Sequence, residues 1–404
     1  MALLSSGQRV TLVDENRRII SRVAKGNLPF YNPDAETEIS KAMLRRKMSL
    51  SDSIRKSVQD SNYIFISSDI PLSRSGSASL SKIKKDVEKV GSCLKEGSTI
   101  VILSQVTPGT TEDIISQTIE RSSGLKHLRD FDLAVCKLMP GKIVAGAASK
   151  KIGENVASLF DATKLNKIVV QMRAAEALEF LDGCARAAEI SCSNELANLC
   201  ESLGIDAREV LPEIGMDANM VGLGYGSPEL VADVASTIRI GKRANARLDI
   251  LRAAQKVNRR QALRAIRLLK EELETLKGKR IALLGLATDG GTISVDGSKA
   301  FEIAIGLLAD GAKVIGYDRL AMSEFIKALP EISYASSVRD ALLNADGCII
   351  QTADPEFARL TRQDFDLMRN KTVIDGRRIL SATKMDKYGV SYRAIGLGKE
   401  KKGV

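Results

Sequence analysis

The residues best placed to do chemistry stand in one short stretch, Gly222-Leu223-Gly224-Tyr225-Gly226-Ser227-Pro228-Glu229, followed by Leu230-Val231-Ala232-Asp233. Closely spaced glycines let backbone approach a ligand, and proline after serine suits the first turn of a helix. No nucleophile, lysine or histidine follows the glycines. The stretch reads as a binding loop whose only reactive neighbours are the carboxylates Glu229 and Asp233. The chain's single histidine, His127, argues against a histidine base or a His-rich metal site and reads as structural. The six cysteines, at 93, 136, 184, 192, 200 and 348, form no CxxC pair. Zinc is therefore not expected, and the thiols read as reduced and buried in a cytoplasmic protein.

Those residues need a scaffold, and 404 residues suffice for two or three domains with real cores. Hydrophobic residues make up 44% and charged ones 27%, ordinary for a globular protein. There is no apolar run long enough to span a membrane, and the apolar part of the N-terminus is too short for a secretory signal. The net charge of +10 is concentrated. Eleven basic residues and one acid, Asp249, lie between Ile238 and Lys270, which accounts for the whole excess. A charge run of this kind is usually a solvated face, and the segment holds no aromatic residue on which bases could stack. Nucleic acid is therefore not an expected partner. An anionic-polymer platform on this helix is the weakest of three functional readings.

Hydrophobic patterning places the elements. Apolar β-rich runs at 9–14, 62–68, 98–106, 131–136 and 142–147 alternate with helical patterns such as Leu80–Leu94. That is the rhythm of a parallel α/β sheet. From Ala174 the spacing turns helical, and Gly204 reads as its C-terminal stop. A second long helix is predicted from Pro228 to Leu276, bent at Gly241, with Ile240, Ala244, Leu248, Leu251 and Ala254 as one apolar stripe and dimer seam. Strands return at 279–287, 312–318, 347–352 and 371–377. The expected fold is α/β, with two Rossmann-like doubly wound domains, 1–160 and 277–404, and a helical middle domain, 161–276.

Seven segments in this order resemble the nucleotide-sugar 6-dehydrogenases, which act on UDP-glucose, GDP-mannose and UDP-N-acetylmannosamine. They are SSGQRVTLVDENRRI (5–19), GNLPFYNP (26–33), SQVTPGTTE (104–112), SNELANLCESLGIDAREV (193–210), GLGYGSPELVAD (222–233), the stretch 285–318, and VIDGRRIL (373–380). The resemblance covers nearly the whole chain. It implies a dinucleotide domain for NAD, with Asp14 on the ribose and Ser104 in the cofactor site. It implies a nucleotide-sugar site with Asn194, Gly222, Gly224, Tyr225, Gly226 and Arg377. It also implies a cytoplasmic enzyme that works as a dimer.

The chain departs from the family where the reaction is carried out. The family cysteine, which captures the sugar aldehyde covalently, is matched by Glu229, and a nearby lysine by Ala232. The lysine and asparagine that stabilise the oxyanion are matched by Glu179 and Gly183, and the threonine before the PPGTT-like turn by Gln105. The PEF or PER glutamate is missing from FDLAVCKLMPGK (131–142). Asp289 and Asp296 stand for a lysine and an arginine, and 217–220 replaces a longer segment that carries an arginine. Asp233, Asn194, Asp375 and Arg377 remain.

The expectation is a homologue that has lost the reaction, binds NAD weakly or not at all, and forms a homodimer or pairs with an active relative. The alternative is an active oxidoreductase using Glu179, Glu229 or Asp233 as a carboxylate base. The first strand and glycine turn of the dinucleotide fold are not seen before Arg9. Either they are encoded upstream, or a segment of another chain fills the gap, or the strands at Arg9–Val13 and Ile64–Ser67 close it by pairing directly, which is the expectation for a genuine short chain.

Overall fold

A computed structural model of the chain describes residues 1–28, 33–68, 70 and 79–399. Part of the segment 26–33 thus lies outside the described residues. Two compact units divide at Leu181/Asp182.

The first unit contains a two-stranded parallel ribbon, β1 (Val10–Val13) with β2 (Met48–Ser51). Its main sheet runs in the order β3 (Tyr63–Ile66), β4 (Thr99–Ile102), β5 (Asp132–Met139), β6 (Lys142–Ala147), β7 (Asn166–Val170). Only the β5–β6 pairing is antiparallel. Strand β4 is buried along its length, and β5 carries Leu133, Ala134, Val135 and Cys136 at 0–1% exposure. This is the continuous apolar signature of a sheet covered on both faces. The expected direct pairing of 9–13 with 64–67 does not occur. β1 pairs with β2 and β3 with β4, and no ladder joins β1 to β3 among the described residues. The strand 48–51 that takes β1 instead was not anticipated.

The second unit holds a six-stranded, wholly parallel sheet in the order β10 (Ser333–Tyr334), β9 (Lys313–Tyr317), β8 (Arg280–Leu284), β11 (Gly347–Ile350), β12 (Thr372–Asp375), β13 (Ser391–Ala394). Read in chain order this is the 3-2-1-4-5-6 arrangement of a dinucleotide-type fold. The strand order reverses between β8 and β11, and ligands bind at the carboxyl ends of strands at such a switch point.

Four helices serve the candidate site: α1 (Met172–Leu203), α2 (Pro228–Arg243), α3 (Asp249–Leu273) and α4 (Lys299–Ala309). α1 ends where expected, with Gly204 at φ +81 and the Ile205 amide bonded back to Cys200 O at 2.9 Å. The single helix expected over 228–276 is two. Asn245 takes φ +54, its amide reaches Lys242 O, and the Ala246 amide reaches Gly241 O at 2.8 Å. This is a Schellman stop with asparagine in place of glycine. The break falls at Ala244–Ala246, past Gly241. Gly241 makes room for Leu248, whose Cδ1 lies 2.5 Å from where a Cβ on residue 241 would be. The stripe 240–254 is therefore divided between two helices, with Ala254 buried and Ala244 exposed.

Candidate functional site

In the first unit Ser104 and Gln105 follow β4, while Asp14 lies apart, after β1 of the two-stranded ribbon. Ser104 is buried, gives its proton to Ser68 O at 2.9 Å and accepts the Ser68 amide at 2.8 Å. Its single donor is committed to the protein. Asp14, just after β1, accepts the Asn16 amide through Oδ1 at 2.7 Å. Its Oδ2 makes no hydrogen bond with the described residues. Gln105 is half-buried beside Ser104.

The resemblance left one residue of this region unremarked. Lys137, on β5, is 3% exposed, and its ammonium meets Ser104 O at 2.8 Å, Leu103 O at 3.3 Å and Glu179 Oε2 at 2.7 Å. A lysine thus stands in the strand where the glutamate motif is missing, and a glutamate stands where the family lysine is expected. The signal was a lysine inside an otherwise apolar strand, since lysine is almost never fully buried without a partner. One turn before Glu179, Glu176 is fully buried and accepts the amides of Gly109 at 2.5 Å and Thr111 at 2.8 Å. Burial pushes its carboxyl pKa up, against the pull of those amides. Glu176 holds the turn between β4 and the following helix and faces no open space.

The second unit holds the glycine loop. Asn194 on α1 accepts the Gly222 amide at 2.9 Å, and Gln261 on α3 donates to Gly222 O at 2.9 Å and to Asn194 Oδ1 at 3.0 Å. Asn258 accepts the Tyr225 amide at 2.8 Å and donates to Tyr225 O at 3.0 Å. Gly224 has φ +86, and a Cβ there would sit 2.3 Å from Asn258 Oδ1. A Cβ on Gly226 would meet Gly297 O at 2.5 Å. Protein packing by itself accounts for Gly224 and Gly226. Tyr225 is 6% exposed, and burial pushes its hydroxyl up to about 12. The polar clamp of Asn258 and Gln261 was not singled out in the sequence.

Glu229 opens α2 on the surface and accepts the Ser227 hydroxyl at 2.7 Å. Asp233, one turn on, is buried against Gly183 of α1. A Cβ on residue 183 would lie 2.3 Å from Asp233 Oδ2. In the sheet of this unit Asp375 is fully buried at the end of β12, bonded by the amides of Arg377 and Leu380 and by the Tyr392 hydroxyl. Arg377 is half-buried and gives Nε to Gln351 O at 2.8 Å. Burial pulls its pKa down, opposed by Asp289 and Asp375. Its terminal nitrogens have no hydrogen bond to the described residues and lie 3.9 Å from the Gly222 Cβ direction at Nη1. The buried Thr352 hydroxyl, after β11, also lacks a partner. Arg377 and Thr352 thus bring polar groups without a partner among the described residues to the carboxyl edge at the β8/β11 switch point.

His127 is not part of either group. It stacks at 5.5 Å on Phe131, and burial lowers its pKa. All six cysteines are free, as expected, but Cys192 is exposed and not buried. No cluster of metal-ligating side chains occurs among the described residues, and no described helix is long and apolar enough to cross a membrane.

These features define a protein with a dinucleotide-type parallel α/β sheet whose strand order reverses between β8 and β11. Residues 1–164 match the NAD binding domain of the UDP-glucose/GDP-mannose dehydrogenase family, 173–260 its central domain and 282–382 its UDP binding domain. The chain belongs to that family. It is 32% identical to the UDP-glucose 6-dehydrogenase AglM of Haloferax volcanii over 96% of this chain and 95% of that protein. It is 25% identical to the UDP-glucose 6-dehydrogenase TuaD of Bacillus subtilis over 96% of this chain and 88% of that one. A UDP-glucose dehydrogenase structure from Pyrobaculum islandicum superposes with a TM-score of 0.83 at 26% identity, over 97% of this chain and 94% of that one.

Proposed function

We propose that this chain binds a nucleotide sugar and does not carry out the oxidation for which its family is named. The observation that supports this reading is Glu229. It occupies the position of the nucleophilic cysteine, at the surface, with its carboxylate bonded to Ser227. A carboxylate there cannot form a thiohemiacetal. Glu179 and Gly183 add to the case, because neither can donate to an oxyanion, and losing one such donor costs about 10²–10³ in rate. Arg377 and Thr352 support retained binding of the diphosphate. NAD would be held, where bound, with Asp14 on the ribose. The chain acts as a homodimer or beside an active relative. The exposed apolar line Ala185, Cys192, Leu199 and Leu203 on α1 supports a helix-to-helix contact.

The test is an assay of nicotinamide reduction with UDP-glucose, GDP-mannose and UDP-N-acetylmannosamine, beside calorimetry with the same sugars. Binding without turnover is expected, and turnover near 1 s⁻¹ or faster would sink the proposal. One observation favours a second reading. The Lys137 ammonium holds the Glu179 carboxylate in place, and Glu179 remains 37% exposed, so it is arranged as a general base would be. In that case a slow oxidation is expected that Glu179→Gln abolishes.

A further inference from the structure

The eleven-cation segment is not evenly solvated, and its geometry separates two groups of charges. Arg264 pairs with Glu201, Lys270 with Asp310 and Arg247 with Asp249. Lys242, Arg243, Arg252, Lys256, Arg259, Arg260 and Arg267 are all exposed and make no ion pair with the described residues. Five of these lie on α3. At 3.6 residues per turn, Arg252, Lys256, Arg259, Arg260 and Arg267 fall within an arc of about 100° on its outer face, over roughly 22 Å of helix. The opposite face carries Ala254, Val257, Ala262, Ala265, Ile266, Leu268 and Leu269 into the core. The cations thus form a single ridge. Asp249, the acid at its N-terminal end, is already engaged by Arg247. Beside the ridge, Arg260, Arg264 and Arg267 line a cleft of about 260 Å³ with Asn198 and Gln261, and Glu195 is its one acid.

We propose that this ridge binds the phosphate backbone of double-stranded nucleic acid without regard to sequence. Unpaired arginine and lysine in a row release counterions when they neutralise phosphates, which drives sequence-independent binding. Arginine forks suit phosphate oxygens, and the cleft offers two that make no ion pair with the described residues, Arg260 and Arg267, beside Arg264, which Glu201 holds. The other polyanionic partners fit less well. A protein interface needs a desolvated aromatic or apolar anchor, and within the arc only Leu263, 40% exposed, is apolar. That same lack leaves nothing to insert into a membrane. Single strands require aromatic platforms, and there are none from 238 to 270.

The experiment is fluorescence anisotropy of the full chain with a labelled, random-sequence DNA duplex of roughly two helical turns, from about 50 to 300 mM salt. Affinity is expected to fall with log–log slope of about −3 to −4.5, the range for roughly three to five phosphates neutralised. Arg252→Glu/Lys256→Glu/Arg259→Glu should weaken binding at least tenfold and flatten the slope. Lys84→Glu/Lys85→Glu/Lys151→Glu, an equal charge change at exposed sites elsewhere, should leave the ridge's contribution in place. Four results would overturn the proposal: no binding at the lowest salt, a slope near zero, equal losses in both triple variants, or binding to anionic lipid vesicles but not to the duplex. The salt slope of the unaltered chain decides the matter even if a variant does not fold.

Discussion

The pair Lys137–Glu179 shows how one residue's setting decides what its loss would do. The ammonium is 3% exposed and the carboxylate 37%. Removing the carboxylate strands an almost wholly buried charge, whereas removing the ammonium leaves a carboxylate with Oε2 buried but the side chain partly exposed. Leaving the more buried charge without its partner is the costlier change. Glu179→Ala should therefore lower stability by about 2–3 kcal/mol, and Lys137→Met by less, since methionine also fills the volume. Urea titrations of the two variants will check the order, and a larger loss for Lys137→Met would refute it. This pair also marks a limit of reading by resemblance. Each substitution looked like a separate loss in the sequence, and only the distance between them reveals one exchanged ion pair.

Among the elements, the glycine loop depends on α3. Asn258→Ala removes both bonds to the Tyr225 backbone and leaves a buried amide without an acceptor. At about 1–3 kcal/mol for each such group, a loss of roughly 2–4 kcal/mol is expected in thermal or urea unfolding. A second expectation concerns β1 and β2. A two-stranded ribbon is marginal alone, so hydrogen exchange should reach Val10–Val13 and Met48–Ser51 well before β4 and β5. Protection equal to that of β4 would count against this. The buried parallel strands were legible in the sequence because a strand covered on both faces is a continuous apolar run. β2, reading Met-Ser-Leu-Ser, and β7, half-exposed along Asn166–Val170, lack that run and were passed over. The break between α2 and α3 was hidden for a different reason. Asparagine can adopt the left-handed conformation that stops a helix, but nothing in the apolar spacing records that it does so at residue 245.

Across the whole molecule, Glu272 is one of the carboxyls that should support stability at low pH. Burial pushes its carboxyl up, but bonds from Lys399, Ser391 and Arg393 outweigh this and hold it near 2. Its ordinary value is 4.5, so the folded-state pKa is depressed. The stabilisation is present above about pH 4.5 and is lost as pH falls from there towards 2. Glu272→Gln should flatten the dependence of unfolding free energy on pH in that window and leave its slope near neutrality unchanged. An unaltered acid limb in the variant would dismiss the assignment. The order of α/β, helical and α/β segments was plain from the sequence at this scale, because periodicity persists over tens of residues.

The contact between Gly183 and Asp233 carries a consequence for how this chain could regain a reaction. The aspartate has settled into the space that any side chain at 183 would need, with 2.3 Å between its oxygen and the Cβ direction. Restoring asparagine at 183 on its own would force two buried groups together, so Gly183→Asn should be poorly folded before it could be useful. The two positions are therefore coupled in this packing, and a side chain at 183 is accommodated only if the Asp233 carboxylate turns aside.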